Sequence, residues 1–174
     1  MWYAIRTKPG HEKNVKQKIE NMMIKGNHDD CRILYCVKKK RYLGAWHDEK
    51  SEFLPGYVFL VTHETEAGGR NIERLPVFPE VLLKITESSG SGNKICLVKR
   101  EEEEFLARLT NGKDEIGMSY GIIQKGVLKI REGVLVGMES RVRKIDRHKR
   151  KGYIAIKINS EEIAEIGLEI TEKT

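Results

Sequence analysis

Phe53-Leu54-Pro55-Gly56-Tyr57-Val58-Phe59-Leu60-Val61 is a backbone break followed by a strongly apolar run. Pro55 fixes φ and Gly56 admits conformations closed to other residues, so the pair permits a sharp entry into the apolar segment. That segment is rich in β-branched and aromatic residues and too short for a stable helix, so it reads as a strand. Tyr57 and Phe59 alternate with Val58 and Leu60. One pair therefore faces the core, and the other faces outward or a second layer.

Strands and helices continue on both sides of this segment. Trp2 to Thr7 reads as a strand, and Pro9-Gly10 breaks it. Val15, Ile19, Met22 and Met23 are spaced i, i+4, i+7 and i+8, which predicts a helix from about His11 to Lys25 with Gly26 as its stop. Arg32 to Val37 is a second strand, extended by the basic arm Lys38-Lys39-Lys40-Arg41. Tyr42 to Glu52 turns back as a hairpin or loop. After Val61 come a short helix at Asn71 to Leu75, a strand at Val81 to Ile85, and a Ser/Gly-rich loop from Glu87 to Asn93. Arg100 to Leu109 has helical spacing, with Phe105, Leu106 and Leu109 apolar. Its four consecutive glutamates suit the positive end of the helix dipole as a solvated helix start.

Residues 111–121 hold three glycines and little apolar periodicity, so a linker is expected there, reaching at most roughly 35 Å when extended. From 122 onward the pattern is one of short strands. Val127 to Arg131, Arg141 to Asp146 and Gly152 to Ile158 are three, and Ile166, Leu168 and Ile170 alternate in another. Several short strands in so small a space predict a small five-stranded β-barrel, whose closure removes exposed edges. The expected fold class is α+β, with an α/β sandwich at 1–110 and a β-barrel at 122–174.

The chain has 174 residues, 39% of them apolar and 33% charged, with a net charge of +6. Mixed signs at that density fit a soluble, folded protein. No apolar run approaches the roughly 18 residues of a membrane span, and the N-terminus lacks the pattern of a signal peptide. Cys31, Cys36 and Cys96 are odd in number and form no CxxC pair, which argues against a disulfide framework or a zinc site and for a reduced, cytoplasmic setting.

The charge is not spread evenly. Arg141-Val142-Arg143-Lys144-Ile145-Asp146-Arg147-His148-Lys149-Arg150-Lys151 carries seven Lys or Arg against one Asp. That equals the net charge of the whole chain. The density exceeds what solubility needs, and a strand and turn that repel themselves point to a polyanion. Arg141, Arg143, Lys144, Arg147, His148, Lys149, Arg150 and Lys151 are the candidate nucleic-acid ligands. Guanidinium groups make bidentate phosphate contacts and stack on unpaired bases. Arg147, His148 and Arg150 would reach base edges of a structured RNA, while Lys144, Lys149 and Lys151 neutralise phosphates. The Lys38 to Arg41 patch would suit exposed nucleic acid, non-template DNA included, and plain solvation accounts for it equally.

Enzyme motifs are absent. His11-Glu12 lacks a second histidine four residues on, and neither GxxxxGK[ST] nor GxGxxG occurs. His47-Asp48 has no placed nucleophile. His28-Asp29-Asp30-Cys31 lacks a second set of ligands and reads as an exposed turn. No catalytic residue, metal or cofactor is expected.

From end to end the chain resembles the NusG family of transcription elongation factors. Trp2-Tyr3-Ala4-Ile5, the helix start Pro9-Gly10-His11-Glu12-Lys13, and Leu54-Pro55-Gly56-Tyr57-Val58-Phe59 look like signatures of its N-terminal (NGN) domain. Ile130-Arg131-Glu132-Gly133-Val134-Leu135-Val136-Gly137-Met138-Glu139-Ser140-Arg141-Val142 looks like the KOW motif of its C-terminal SH3-like barrel. Val134 stands where that pattern usually has Pro, and Ser140 where it has Gly. The usual barrel also lacks so concentrated a basic turn. These departures favour a specialised paralogue, most similar to the LoaP group of operon-specific antiterminators that act through a leader RNA hairpin.

The resemblance implies a monomer whose N-terminal domain sits on the clamp helices of RNA polymerase, through Leu54, Tyr57 and Phe59 with Tyr3 and Arg6 nearby. It also implies that the basic turn binds a leader RNA hairpin. A general elongation factor that couples polymerase to the ribosome or a termination factor is the alternative, and so is a ribosome-associated KOW protein.

Overall fold

The computed structural model describes residues 1–23, 30–62, 95–158 and 160–174. The expected helix at 71–75, strand at 81–85, loop at 87–93 and stop at Gly26 lie outside the described residues. The fold is a sheet-rich α+β arrangement in two compact units. Met1–Ile33 and Pro55–Glu103 make the first, and Leu34–Leu54 and Glu104–Thr174 the second. The segment from Leu34 to Leu54 thus clusters with the C-terminal strands, although a division by sequence order alone would leave it in the N-terminal half.

In the first unit β1 (Trp2–Arg6), β2 (Asp30–Arg32), β5 (Tyr57–Val61) and β6 (Ile95–Leu97) form a four-stranded sheet of order β2-β5-β1-β6. Strand β5 pairs antiparallel with β1, Trp2 opposite Val61 and Arg6 opposite Tyr57, and with β2 on its other edge. Every residue of β5 is buried. Both faces of this inner strand are covered, so all its positions are apolar rather than every second one. Helix α1 (Glu12–Met22) lays Val15 and Ile19 into the core. It is shorter than expected. Met23 is already extended, and Met22 is 40% exposed rather than part of the buried stripe.

In the second unit, β3 (Tyr35–Tyr42) and β4 (Ala45–Glu52) form a regular hairpin. Its two-residue loop, Leu43-Gly44, has φ of 51° and 79°, the doubly positive geometry that matches the twist of paired strands. The stretch expected as a linker contains β7 (Glu115–Ile116), which pairs parallel with β3, and the start of β8 (Ser119–Gln124). Ile116 and Ser119 are fully buried, so this segment is held by packing despite its glycines. The C-terminal strands are β9 (Val127–Gly133), β10 (Val142–Asp146), β11 (Lys151–Lys157) and β12 (Glu161–Lys173). With β8 they form a five-stranded sheet of order β10-β11-β12-β8-β9, in which only β12 and β8 run parallel. Ile154, Ile156, Ile166 and Leu168 are fully buried in its core.

Helix α2 (Arg100–Thr110) buries Phe105, Leu106 and Leu109 as its spacing predicts. Its acidic start is not wholly solvated. Glu102 is buried, and the Glu103 carboxylate accepts a hydrogen bond from the Trp2 N–H at 3.3 Å.

Gly167 on β12 marks a close approach of the hairpin to the C-terminal sheet. A Cβ there would collide with the Val37 carbonyl of β3 and with the Met118 thioether. The Cys36 thiol, buried beside this contact, is pushed up to about 11, chiefly by desolvation. No described helix is long and apolar enough to cross a membrane.

Candidate nucleic-acid interface

The basic segment begins in a single 3-10 turn, Glu139–Arg141, runs through β10, and turns over residues 147–150 into β11. Asp146 organises the turn. Its Oδ1 accepts a hydrogen bond from the Lys149 N–H at 3.0 Å, and the Arg150 N–H donates to the Arg147 carbonyl at 3.3 Å. Asp is well suited to this local bond, which closes a turn without using the strand ladder. Arg150 completes the turn with φ of 53°, a left-handed conformation that costs a side-chain-bearing residue roughly 1 kcal/mol or more.

The eight candidate residues divide into two groups of four. Arg141, Lys144, Arg150 and Lys151 are engaged by the fold. The Arg150 guanidinium lies 2.9 Å from the Glu169 carboxylate and 4.3 Å from the Trp46 ring centre. Lys151 Nζ lies 2.8 Å from Glu165, which also receives Lys38 at 3.3 Å. Lys151 and Lys38 together hold the Glu165 carboxyl below the ordinary carboxylate range. Arg141 rests over the Phe105 ring at 4.5 Å, and Lys144, though exposed, lies over Tyr153 at 5.6 Å. Arg143, Arg147, His148 and Lys149 are exposed and make no ion pair among the described residues.

The charge count therefore overstates the number of cations ready for a ligand and understates how well they are mounted. Arg150 and Lys151 brace the base of the turn. Arg147, His148 and Lys149 project from its tip, with Arg143 on the preceding strand. Three cationic or ionisable side chains on consecutive turn residues, unneutralised by the fold, form a narrow positive projection suited to phosphate oxygens. The bracing residues Trp46, Glu165 and Glu169 escape the sequence reading, because nothing local connects them to the turn.

The residues expected to face polymerase lie differently. Arg6 is exposed, with its guanidinium 5.9 Å from the Tyr57 ring centre, and Tyr3 is half-buried. Leu54 and Tyr57 are 7% and 6% exposed, and Phe59 is fully buried against Trp2 and Tyr57. Phe59 has no surface to offer a partner here, because β5 is flanked by strands on both edges and covered on both faces. The Pro55-Gly56 break is fixed from within the first unit. The Gly56 N–H donates to the buried Glu12 carboxylate at 2.6 Å, and the Gly56 carbonyl accepts from the Thr7 N–H at 2.7 Å. Two signature segments far apart in sequence thus lock each other.

In the smaller basic patch Lys39 and Lys40 pair with Asp48 and Glu49, each at 2.7 Å. Arg41 is exposed and has no ion pair among the described residues. Asp30 pairs with Arg32 at 2.7 Å, while His28 and Asp29 lie outside the described residues. Among the described residues no three His, Cys, Asp or Glu side chains group as a metal site.

Residues 1–107 match the protein family described as "Transcription termination factor nusG". No curated protein matches the chain. Among solved structures, one from a study of domain interaction in Thermotoga maritima NusG is similar, with a TM-score of 0.51 and 21% identity. The likeness covers 97% of this chain and 93% of that one, and it supports the shared fold. The family match spans more than half the sequence and contains the Trp2, Glu12 and Gly56 segments, so the chain belongs to the NusG family of transcription elongation and termination factors.

Proposed function

We propose that this protein is a specialised NusG-family antitermination factor of the LoaP type. It binds RNA polymerase through its N-terminal domain and a structured leader RNA hairpin through the basic turn. Proteins of the family interact with RNA polymerase in general, and the first unit supplies an exposed Arg6 and a half-buried Tyr3 beside the family's signature strand. Contact with the clamp helices would reduce pausing and termination once the factor is recruited.

The observation that carries the RNA reading is the division of the basic cluster. Arg150 and Lys151 are held by carboxylates and an indole, while Arg143, Arg147, His148 and Lys149 are presented unpaired among the described residues. A merely solvated turn gains nothing from such bracing. A bulged or looped RNA opens its groove and exposes base edges to a projection this narrow, whereas regular A-form RNA presents a deep groove that side chains do not read.

The test is binding of the full chain to a leader hairpin RNA and to duplex DNA of like sequence at near-physiological salt. Preference for the RNA, weakened about tenfold or more when Arg147 and Lys149 are both changed to Glu, supports the reading. Equal affinity for the two nucleic acids overturns its RNA-specific part.

A further inference from the structure

We propose that the RNA surface does not end at the basic turn but continues onto the β3–β4 hairpin, with Arg41 as a further phosphate-binding residue and Trp46 as the residue that aligns the two parts. This inference rests on the RNA-binding reading of the turn. The connection is made by Trp46, whose ring lies 4.3 Å from the Arg150 guanidinium at the base of that turn. Arg41 is directly opposite Trp46 in the hairpin register. Directly paired residues project to the same face, with Cβ atoms about 5 Å apart. Arg41 therefore stands on the face of the hairpin that Trp46 turns towards Arg150, one side chain further from the turn.

The neighbouring charges are already used. Lys38 is bound to Glu165, Lys39 to Asp48, and Lys40 to Glu49. Arg41 alone in that run is exposed without an ion pair among the described residues. The result is a row in which Arg41, the indole of Trp46, the Arg150 guanidinium and the Arg147 to Lys149 tip succeed one another within one compact unit. A backbone of regularly spaced phosphates fits such a row. The tip of the turn presents three exposed side chains, Arg147, His148 and Lys149, and the added arginine would lengthen that footprint along the stem. Guanidinium at Arg41 suits a phosphate better than ammonium because it binds two oxygens at once.

Salt dependence reads this directly, because each phosphate contact adds roughly 0.7–0.9 to the slope of log affinity against log salt. The full chain is titrated with a synthetic bulged stem-loop RNA over a salt series, by fluorescence anisotropy. Arg41→Gln is compared with Lys40→Gln, the next residue on the opposite face, and with Arg147→Gln at the tip. We expect Arg41→Gln to lower the slope by close to one contact and to weaken binding about fivefold, with Lys40→Gln unchanged. If Arg147→Gln weakens binding while Arg41→Gln matches Lys40→Gln, the extended surface is overturned and RNA binding by the turn stands. If neither Arg147→Gln nor Arg41→Gln has an effect, the RNA reading itself fails. The same losses on duplex DNA would overturn RNA as the ligand class. Circular dichroism of the three exposed-site variants checks that the fold is retained.

Discussion

Gly56 and Glu12 fix the backbone of the family signature through the buried hydrogen bond between them. Gly56 has φ of 85°, and a Cβ there would sit 3.3 Å from the Thr7 carbonyl. Gly56→Ala is expected to cost roughly 1–2 kcal/mol from the left-handed backbone alone. Glu12→Ala leaves the Gly56 N–H without its acceptor in a buried site, a loss of about 1–3 kcal/mol. Both are measured by chemical denaturation. The two changes share one hydrogen bond, so the double variant should lose less than their sum. Arg150 presents the opposite balance. Its φ of 53° is unfavourable, and its ion pair with Glu169 is partly exposed. Arg150→Gly relieves about 1 kcal/mol of strain and gives up an ion pair worth about 0–1 kcal/mol, so stability should stay within about 1 kcal/mol of the parent. RNA affinity should still fall, because the turn loses its brace. A large loss of stability instead would mean that the Trp46 contact carries packing energy beyond the charge.

Between elements, the junction of the hairpin with β12 is tied by Glu165, which receives Lys38 of β3 and Lys151 of β11. The Glu165 carboxyl is held below its ordinary value of 4.5. A depressed carboxylate stabilises the fold above its unfolded value, and that contribution is lost as pH falls through the lower folded value. Acidification from neutral pH should therefore loosen this junction below about pH 4.5, and Glu165→Gln should remove that part of the pH dependence. Cys36 reports on it. Buried beside Gly167, with its thiol raised to about 11, it should resist alkylation at neutral pH in the native protein. Labelling should quicken in Glu165→Gln, and an unchanged rate would show that the junction does not depend on the pair.

The same elements differ in how plainly the sequence announces them. Trp2 to Thr7, helices α1 and α2, and the strands from Val127 onward carry periodicity or composition that their environments impose, so they are legible. The Ala45–Glu52 strand is not, because it has no buried residue, is largely polar, and pairs with the lysine-rich β3. Its turn, Leu43-Gly44, also lacks the usual Asn-Gly signal. Strand β8 is hidden by its glycine and by the glycines before it, though its buried Ser119 and Ile122 fix it in the core. The site is legible as a charge count and illegible as an arrangement. The separation of Arg147 from Arg150 depends on Trp46 and Glu169, which lie more than a hundred residues apart.

Across the whole molecule, the proposed binding of polymerase and RNA by separate units predicts that the two activities are lost independently. Arg6 and Tyr3 belong to the first compact unit, and the basic turn belongs to the second. Arg6→Glu with Tyr3→Ala should abolish co-purification with core polymerase while leaving RNA affinity unchanged. Arg143, Arg147 and Lys149 all changed to Glu should do the reverse, lowering the salt slope of RNA binding by roughly two units or more. Tyr57 and Phe59 are poor choices for this separation, since truncating buried aromatics costs about 3–5 kcal/mol and would confuse unfolding with lost contact. Transcription in vitro through a terminator placed behind a leader hairpin combines the two. Readthrough should require both surfaces on one chain, and mixing the two variants should not restore it. Restored readthrough would mean that polymerase and RNA need not be bound by the same molecule, which would overturn the proposed function.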